Sequence, residues 1–133
     1  MQTVRKINDD LAISGQIDLE QLPQIVEDGF NSILNLRSPQ EKGFLPEEQD
    51  AVEALHLQYV NHPFEVEYIS DQASTQVLQL LNQLPKPVLV HCDNAVRAAA
   101  IALMHIATCQ GATLEEAFHQ AKQLGLFAVL TRA

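Results

Sequence analysis

The chain has 133 residues, of which 47% are hydrophobic and 19% are charged, and its formal net charge is −9. We predict a single domain over residues 1–133, because this length builds one core and the composition excludes extended disorder. The eight Lys and Arg residues form no cluster, which excludes the basic surface that nucleic acid or an anionic membrane requires. No apolar run has the length of a signal peptide or a membrane span, so we expect a cytoplasmic protein.

Predicted strands and helices alternate along the chain. Hydrophobic patterning and turn residues predict strands at 11–17, 31–37, 57–64 and 88–91. They predict helices at 18–29, 47–55, from 70 or 71 to 84, 98–109 and 113–123, and Pro23 predicts that the first helix starts late or is irregular. This alternation indicates an α/β fold with three layers, in which helices flank a mostly parallel central sheet.

The segment PVLVHCDNAVRAAAIALMHIA, residues 87–107, joins a hydrophobic strand to an apolar helix through a short loop. Such a loop directs backbone N–H groups and the positive end of the helix dipole into one concavity, which attracts an oxyanion and favours a thiolate. Cys92 begins the loop and Arg97 follows it, so the spacing indicates a nucleophile facing a phosphate. Taken singly, Cys92 is a common buried strand residue and Arg97 a common helix residue.

Arg37 also follows the carboxyl end of a predicted strand, where ligands gather in open α/β sheets. We expect it to support the loop or to pair with Glu41. No spacing of His and Cys residues resembles a zinc site, so we assign no metal and no other cofactor.

The segment LVHC, the four-residue gap before Arg97 and the alanine-rich helix resemble the cysteine-dependent protein tyrosine and dual-specificity phosphatases. The closest resemblance is to their small bacterial branch, the phosphatase-like domain of beta-lactamase hydrolase-like proteins, which commonly carries HCxSGxR. Fold-level likeness extends over LAISGQID, GFNSILNLR, EALHLQYVNHPF and GATLEEAFHQAKQLGL. The resemblance implies a protein tyrosine phosphatase-like fold and hydrolysis of a phosphate monoester, on a protein or a small molecule.

By that resemblance, Cys92 attacks phosphorus to form a phosphocysteine, and Arg97 with the loop N–H groups holds the equatorial oxygens. His91 fixes the cysteine backbone. The implied phosphate-binding loop comprises His91, Asp93, Asn94, Ala95, Val96 and Ala98.

The resemblance also implies a general acid from the loop after the preceding strand. Glu65, Glu67 and Asp71 lie in or near that loop and are the candidates. Asp71 is equally well placed to be a helix N-cap, and the two glutamates to form a solvated edge.

Three loop residues depart from the family pattern. Ala95 stands where glycine is usual and is strained if its φ is positive, and Ala98 lacks the hydroxyl that usually donates to the thiolate. Asp93 places a carboxylate that repels phosphate unless its side chain points away. These departures predict weak catalysis, or a site that keeps its shape without turnover.

Two other functions therefore stay open. A pseudophosphatase would bind an oxyanionic ligand or a protein partner without turnover, which Ala95 and Ala98 favour. A rhodanese-like sulfurtransferase would form a persulfide on Cys92; the NLR strand followed by Glu41 favours it, whereas the absence of a GHIPGA-like segment opposes it.

Overall fold

The computed structural model describes residues 4–64, 71–113, 115, 116 and 119. Five strands in these ranges form one sheet in the spatial order β1-β2-β5-β3-β4. Their bounds are β1 Arg5–Lys6, β2 Leu11–Ser14, β3 Ser32–Asn35, β4 Gln58–Asn61 and β5 Val88–His91. All neighbours pair in parallel except β1 and β2, which are antiparallel. The mostly parallel sheet that the sequence predicts is therefore confirmed, with one short edge strand added.

A helix follows each strand from β2 to β5 in the sequence. A 3-10 turn over Leu19–Gln21 precedes α1 Leu22–Glu27, and the other helices are α2 Glu48–Ala54, α3 Asp71–Gln83 and α4 Val96–Cys109. Pro23 sits in the first turn of α1, where a missing N–H is harmless, so the late start that the sequence predicts is confirmed. Within the described ranges, no helix is long and apolar enough to cross a membrane.

Each face of the sheet is covered by a separate hydrophobic cluster, because alternate strand residues point to opposite faces. On one face, Leu11, Ile13 and Val90 pack with residues of α3 and α4. On the other face, Ala12 and Leu89 pack with residues of α1 and α2. The three-layer α/β architecture is thus observed directly.

Several predicted boundaries were wrong by a few residues. The strands predicted at 11–17, 31–37 and 57–64 are each four residues long, because the chain leaves the sheet to build the loops at its carboxyl edge. Helix α4 begins at Val96 rather than at residue 98, because Ala95 takes the N-cap position. Strand β1 was not predicted, since two exposed residues carry no alternating pattern.

The start of the helix predicted at 113–123 is described in part. The Thr113 N–H donates to the Glu116 side chain, and the Glu116 N–H donates to the Thr113 hydroxyl. This is the reciprocal capping pattern that the sequence indicates. Most of the remaining residues of that helix lie outside the described ranges.

Candidate functional site

The site is built on the carboxyl ends of three parallel strands. His91 pairs in register with Ser14 of β2 on one side and with Asn35 of β3 on the other. The Cys92 N–H donates to the Ser14 carbonyl at 3.3 Å, so the cysteine leaves the sheet directly from its central strand. This is the edge at which ligands bind in open α/β sheets.

The loop between β5 and α4 makes its turn at Ala95. This residue is the N-cap of α4 and has φ 72°. The positive φ that strains an alanine at this position is therefore present, and it costs an L-residue about 1–2 kcal/mol. The Asn94 side-chain oxygen accepts the Val96 N–H at 3.1 Å, so one of the amides without an intrahelical partner in the first turn is satisfied from the loop.

Arg97 lies in the first turn of α4 and is almost fully buried. Its two terminal nitrogens donate to the two carboxylate oxygens of Glu41, each at 2.8 Å. The Nη1 nitrogen also lies 3.5 Å from the Leu36 carbonyl and 3.4 Å from the Phe64 carbonyl. The guanidinium is thereby held in one orientation by a bidentate ion pair and the neighbouring backbone.

The electrostatics of Arg97 connect it to Cys92. Burial alone would lower the pKa of the Arg97 guanidinium, but hydrogen bonds to Glu41 and Asp93, together with the charges of Glu41 and Cys92, raise it above its usual value. Arg97 is therefore a permanent cation close to the cysteine. Cys92, which is fully buried, begins the loop between β5 and α4, and Arg97 lies in the first turn of the helix that ends it.

Glu41 is the common partner of two arginines. The Arg37 Nε donates to it at 3.1 Å, and the Ser38 N–H donates at 2.8 Å. Burial alone would raise the pKa of the Glu41 carboxyl, but the bonds from Arg97, Ser38 and Arg37 lower it from 4.5 to about 2. The pairing of Arg37 with Glu41 is confirmed, and it supports the loop indirectly through Arg97.

A buried pair lies beneath the cysteine. The His91 Nε2 is 2.6 Å from a Glu48 carboxylate oxygen, and neither side chain is exposed to solvent. The His91 Nδ1 lies 3.5 Å from the Cys92 carbonyl. His91 thus contacts the cysteine backbone, as the resemblance implies, and Glu48 fixes the imidazole ring.

Asp93 does not point away from the site. Its carboxylate accepts from Arg97 Nη2 at 3.1 Å and from the Asn94 N–H at 2.8 Å. It therefore uses one arginine donor and one loop amide, both of which are groups that an incoming oxyanion would need. The condition under which Asp93 would leave phosphate undisturbed is not met.

The other predicted site residues divide into two groups. Val96 and Ala98 belong to the first turn of α4, where Ala98 is fully buried and offers no hydroxyl. Asp71 begins α3, but its side chain lies outside the described residues, as do Glu65 and Glu67. The structure therefore gives no geometry for the three candidate general acids.

Sequence reasoning missed Glu48 and Gln16. Glu48 lies in an acidic stretch that reads as a solvated helix start, and only its complete burial sets it apart. Gln16 follows the carboxyl end of β2, so its position at the ligand-binding edge was the available signal.

Comparisons with known proteins agree with this geometry. A family model described as "Beta-lactamase hydrolase-like protein, phosphatase-like domain" matches residues 3–111. A search of curated protein sequences finds no match.

Solved structures share the fold at low sequence identity. A DUF442 protein from Shewanella putrefaciens CN-32 is 20% identical with a TM-score of 0.77, covering 96% of this chain and 85% of its own. Tk-PTP in its active form is 17% identical with a TM-score of 0.70, covering 96% and 95%. A cysteine-to-serine variant of TpbA from P. aeruginosa, in complex with pTyr, is 16% identical with a TM-score of 0.70, covering 93% and 74%.

Proposed function

We propose, since this chain belongs to the phosphatase-like domain family of beta-lactamase hydrolase-like proteins, that it is a cysteine-dependent phosphatase of low activity. Family and fold together support a phosphatase. The observation that carries the proposal is the buried Arg97 guanidinium, which Glu41 holds at the amino end of α4, directly after the loop that Cys92 begins. A fixed cation beside a cysteine is the arrangement that in-line phosphoryl transfer to sulfur requires.

The reaction has two displacements. The Cys92 thiolate forms a bond to phosphorus while the bond between phosphorus and the ester oxygen breaks, and the departing oxygen takes a proton from a general acid. Water then gives a proton to the same carboxylate as it attacks the phosphocysteine. The bond between sulfur and phosphorus breaks, which releases inorganic phosphate and regenerates the thiolate and the acid. Arg97 and the loop amides stabilise the equatorial oxygens in both steps.

The general acid is proposed among Glu65, Glu67 and Asp71. Support comes from Phe64, whose carbonyl lies 3.4 Å from Arg97 Nη1. Glu65 follows Phe64 directly in the sequence, so the segment that carries the candidate acids begins next to a residue that contacts Arg97. Exchanging each carboxylate for its amide and measuring the turnover of an ester with a poor leaving group would identify the acid, because only such a leaving group needs the proton.

We propose a phosphate monoester with a single anchored phosphate as the substrate, on a protein or a small molecule. The net charge of −9 disfavours polyanions by long-range repulsion. Phosphotyrosine is a suitable first test compound, because the TpbA variant has been solved in complex with pTyr. We further propose that residues 1–133 form a single domain, that the protein is cytoplasmic and that it binds neither nucleic acid nor membrane.

The low activity follows from the loop. Asp93 occupies Arg97 Nη2 and the Asn94 N–H, so an oxyanion must displace a carboxylate before it can bind. Ala98 provides no hydroxyl to stabilise the departing thiolate. We therefore expect weak substrate binding and slow hydrolysis of the phosphocysteine.

The test is release of phosphate from a small aryl phosphate. The parent chain should release phosphate slowly, Cys92→Ser should release none, and the matched variant Cys109→Ser should behave as the parent does, because Cys109 is exposed at the far end of α4. A phosphorylated Cys92 should be trapped by rapid acid quench and seen by mass. Release that survives Cys92→Ser would overturn the proposal.

A pseudophosphatase is the second candidate, and the contact between Asp93 and Arg97 favours it. It predicts phosphate binding in Cys92→Ser, loss of binding in Arg97→Met, and no turnover in the parent. Family membership favours either of these functions over the rhodanese-like alternative, which would require a persulfide on Cys92 after incubation with thiosulfate.

A further inference from the structure

We infer that Gln16 is a positioning residue that couples the support of Cys92 to the support of Arg97. The inference deepens the proposed function, since it concerns the same site. Gln16 lies in the LAISGQID segment, two residues beyond β2, and is half-buried. It touches neither Cys92 nor Arg97 through any hydrogen bond in the described part of the chain, so it acts through other residues.

Three hydrogen bonds connect Gln16 to three different parts of the site. Its backbone N–H donates to the Asp93 carbonyl at 3.2 Å, which ties it to the phosphate-binding loop. Its side-chain Nε2 donates to a Glu48 carboxylate oxygen at 2.7 Å. Its side-chain Oε1 accepts from Arg37 Nη1 at 2.9 Å.

The chemistry of these partners requires an amide. The Glu48 carboxylate only accepts hydrogen bonds when ionised, and the Arg37 guanidinium only donates them. A primary amide presents a donor and an acceptor on one rigid group, so it satisfies both at once and in one orientation. A carboxyl group would lose the donor when ionised, and a thioether would provide neither bond.

The first branch runs from Gln16 to the nucleophile. Glu48 uses its Oε1 for Gln16 and its Oε2 for His91 Nε2, at 2.7 and 2.6 Å. The His91 Nδ1 faces the Cys92 carbonyl at 3.5 Å. Rotation of the Glu48 carboxylate would therefore turn the imidazole ring and shift the start of the loop.

The second branch of hydrogen bonds runs from Gln16 to Arg97. The Arg37 Nη1 donates a hydrogen bond to Gln16 at 2.9 Å, and the Arg37 Nε donates one to Glu41 at 3.1 Å. Glu41 in turn holds both terminal nitrogens of Arg97. Release of Arg37 from Gln16 would loosen Glu41 and thereby the Arg97 guanidinium that Glu41 holds.

The experiment compares Gln16→Met with Gln24→Met, both made with Cys109→Ser so that Cys92 is the only thiol. Gln24 is a matched control, because its amide also donates to a carboxylate, that of Asp28 at 2.8 Å, but on exposed surface of α1. Two readouts are used: turnover of an aryl phosphate, and protection of Cys92 from iodoacetate by inorganic phosphate. Gln16→Met should lower kcat and weaken protection, each about tenfold, because small displacements of reacting groups cost this much or more.

Gln16→Glu separates positioning from a general loss of stability. When protonated, the introduced carboxyl still donates to Glu48 and accepts from Arg37, and when ionised it repels Glu48. Phosphate protection in this variant, relative to the parent, should therefore fall as the introduced carboxyl ionises above the ordinary glutamate pKa of about 4.3, which the neighbouring Glu48 carboxylate raises. A merely structural role would give a ratio that does not depend on pH.

The outcomes are distinct from those of the proposed function. If Gln16→Met matches Gln24→Met in both readouts, or the Gln16→Glu ratio is flat with pH, the coupling is refuted while the phosphatase proposal stands. If the parent shows no turnover, the phosphatase proposal fails, and the phosphate-protection measurements still decide the role of Gln16.

Discussion

The two sides of Cys92 are built in opposite ways. On the strand side, His91 and Glu48 are fully buried and bonded at 2.6 Å. On the loop side, Asp93 and Asn94 are exposed, and Ala95 adopts a positive φ without being glycine. The shape of the site is thus held from outside the loop, by residues of β2, β5, α2 and the β3–α2 connection. The loop itself, which would contact an oxyanion, carries a competing carboxylate at Asp93 and a strained backbone at Ala95.

We expect the largest effect from a variant that removes the buried pair of Glu48 and His91 on the strand side. Glu48→Met would leave His91 and Gln16 without their shared acceptor, and losing one partner of a buried pair costs about 3–5 kcal/mol. We expect a loss of this size in the free energy of unfolding, measured by urea denaturation.

Two further variants serve as controls for Glu48→Met. Glu48→Gln should retain most of the stability, because its amide can still accept from Gln16 and donate to His91. Glu53→Met, at an exposed position of the same helix, should change the unfolding free energy little. Equal losses in Glu48→Met and Glu53→Met would contradict a structural role for the buried pair.

A second prediction concerns Glu41, which connects the buried support to Arg97. Glu41→Gln should cost about 2 kcal/mol at neutral pH, because charge-assisted bonds to two arginines are weakened. The folded-state pKa of Glu41 is lowered from 4.5 to about 2, so its contribution is fully present above pH 4.5 and is lost as the pH falls toward 2.

The measurement is urea unfolding of the parent and Glu41→Gln over that acid range. The difference in stability between them should close as the pH falls. A difference that stays constant across the range would show that the carboxylate charge is not what holds the arginines.

The same contrast explains what the sequence could predict. Cys92, the loop and Arg97 form one local unit, so strand, turn and helix signals in adjacent residues were sufficient to predict them. The three-layer order likewise follows from the alternation of hydrophobic segments. The positive φ of Ala95 was considered as a condition, because glycine is usual at this position in the family that the sequence resembles.

The pair of Arg37 and Glu41, four residues apart, was predicted, but the supports that join distant parts of the chain could not be predicted. Glu41 is 56 residues from Arg97, Glu48 is 43 residues from His91, and Gln16 is 32 residues from Glu48. In the sequence, each of these is a polar residue near a loop, which is indistinguishable from a solvated one. Only the parallel register, which aligns Ser14 and Asn35 with His91, brings them to one edge.

A third prediction improves the loop side. Asp93→Asn removes the charge that competes for Arg97 and keeps the size of the side chain. We expect tighter binding of inorganic phosphate by up to about fivefold, because an exposed charge interaction contributes about 0.2–1 kcal/mol. Protection of Cys92 from alkylation measures it, and the gain should shrink at high salt. Unchanged affinity would mean that Asp93 moves aside freely when an anion arrives.

The last prediction tests whether the strain at Ala95 is a property of the loop alone. Ala95→Gly relieves a left-handed conformation that costs about 1–2 kcal/mol, but it adds flexibility to the unfolded chain, so the net stabilisation should be at most about 1 kcal/mol. Ala99→Gly, in the interior of α4, is the matched control and should destabilise the protein by a similar amount. If Ala95→Gly is stabilising in the parent and equally so in Gln16→Met, the turn and its supports contribute independently. If the gain vanishes in Gln16→Met, the buried support imposes the positive φ, and the strain of the loop originates on the strand side.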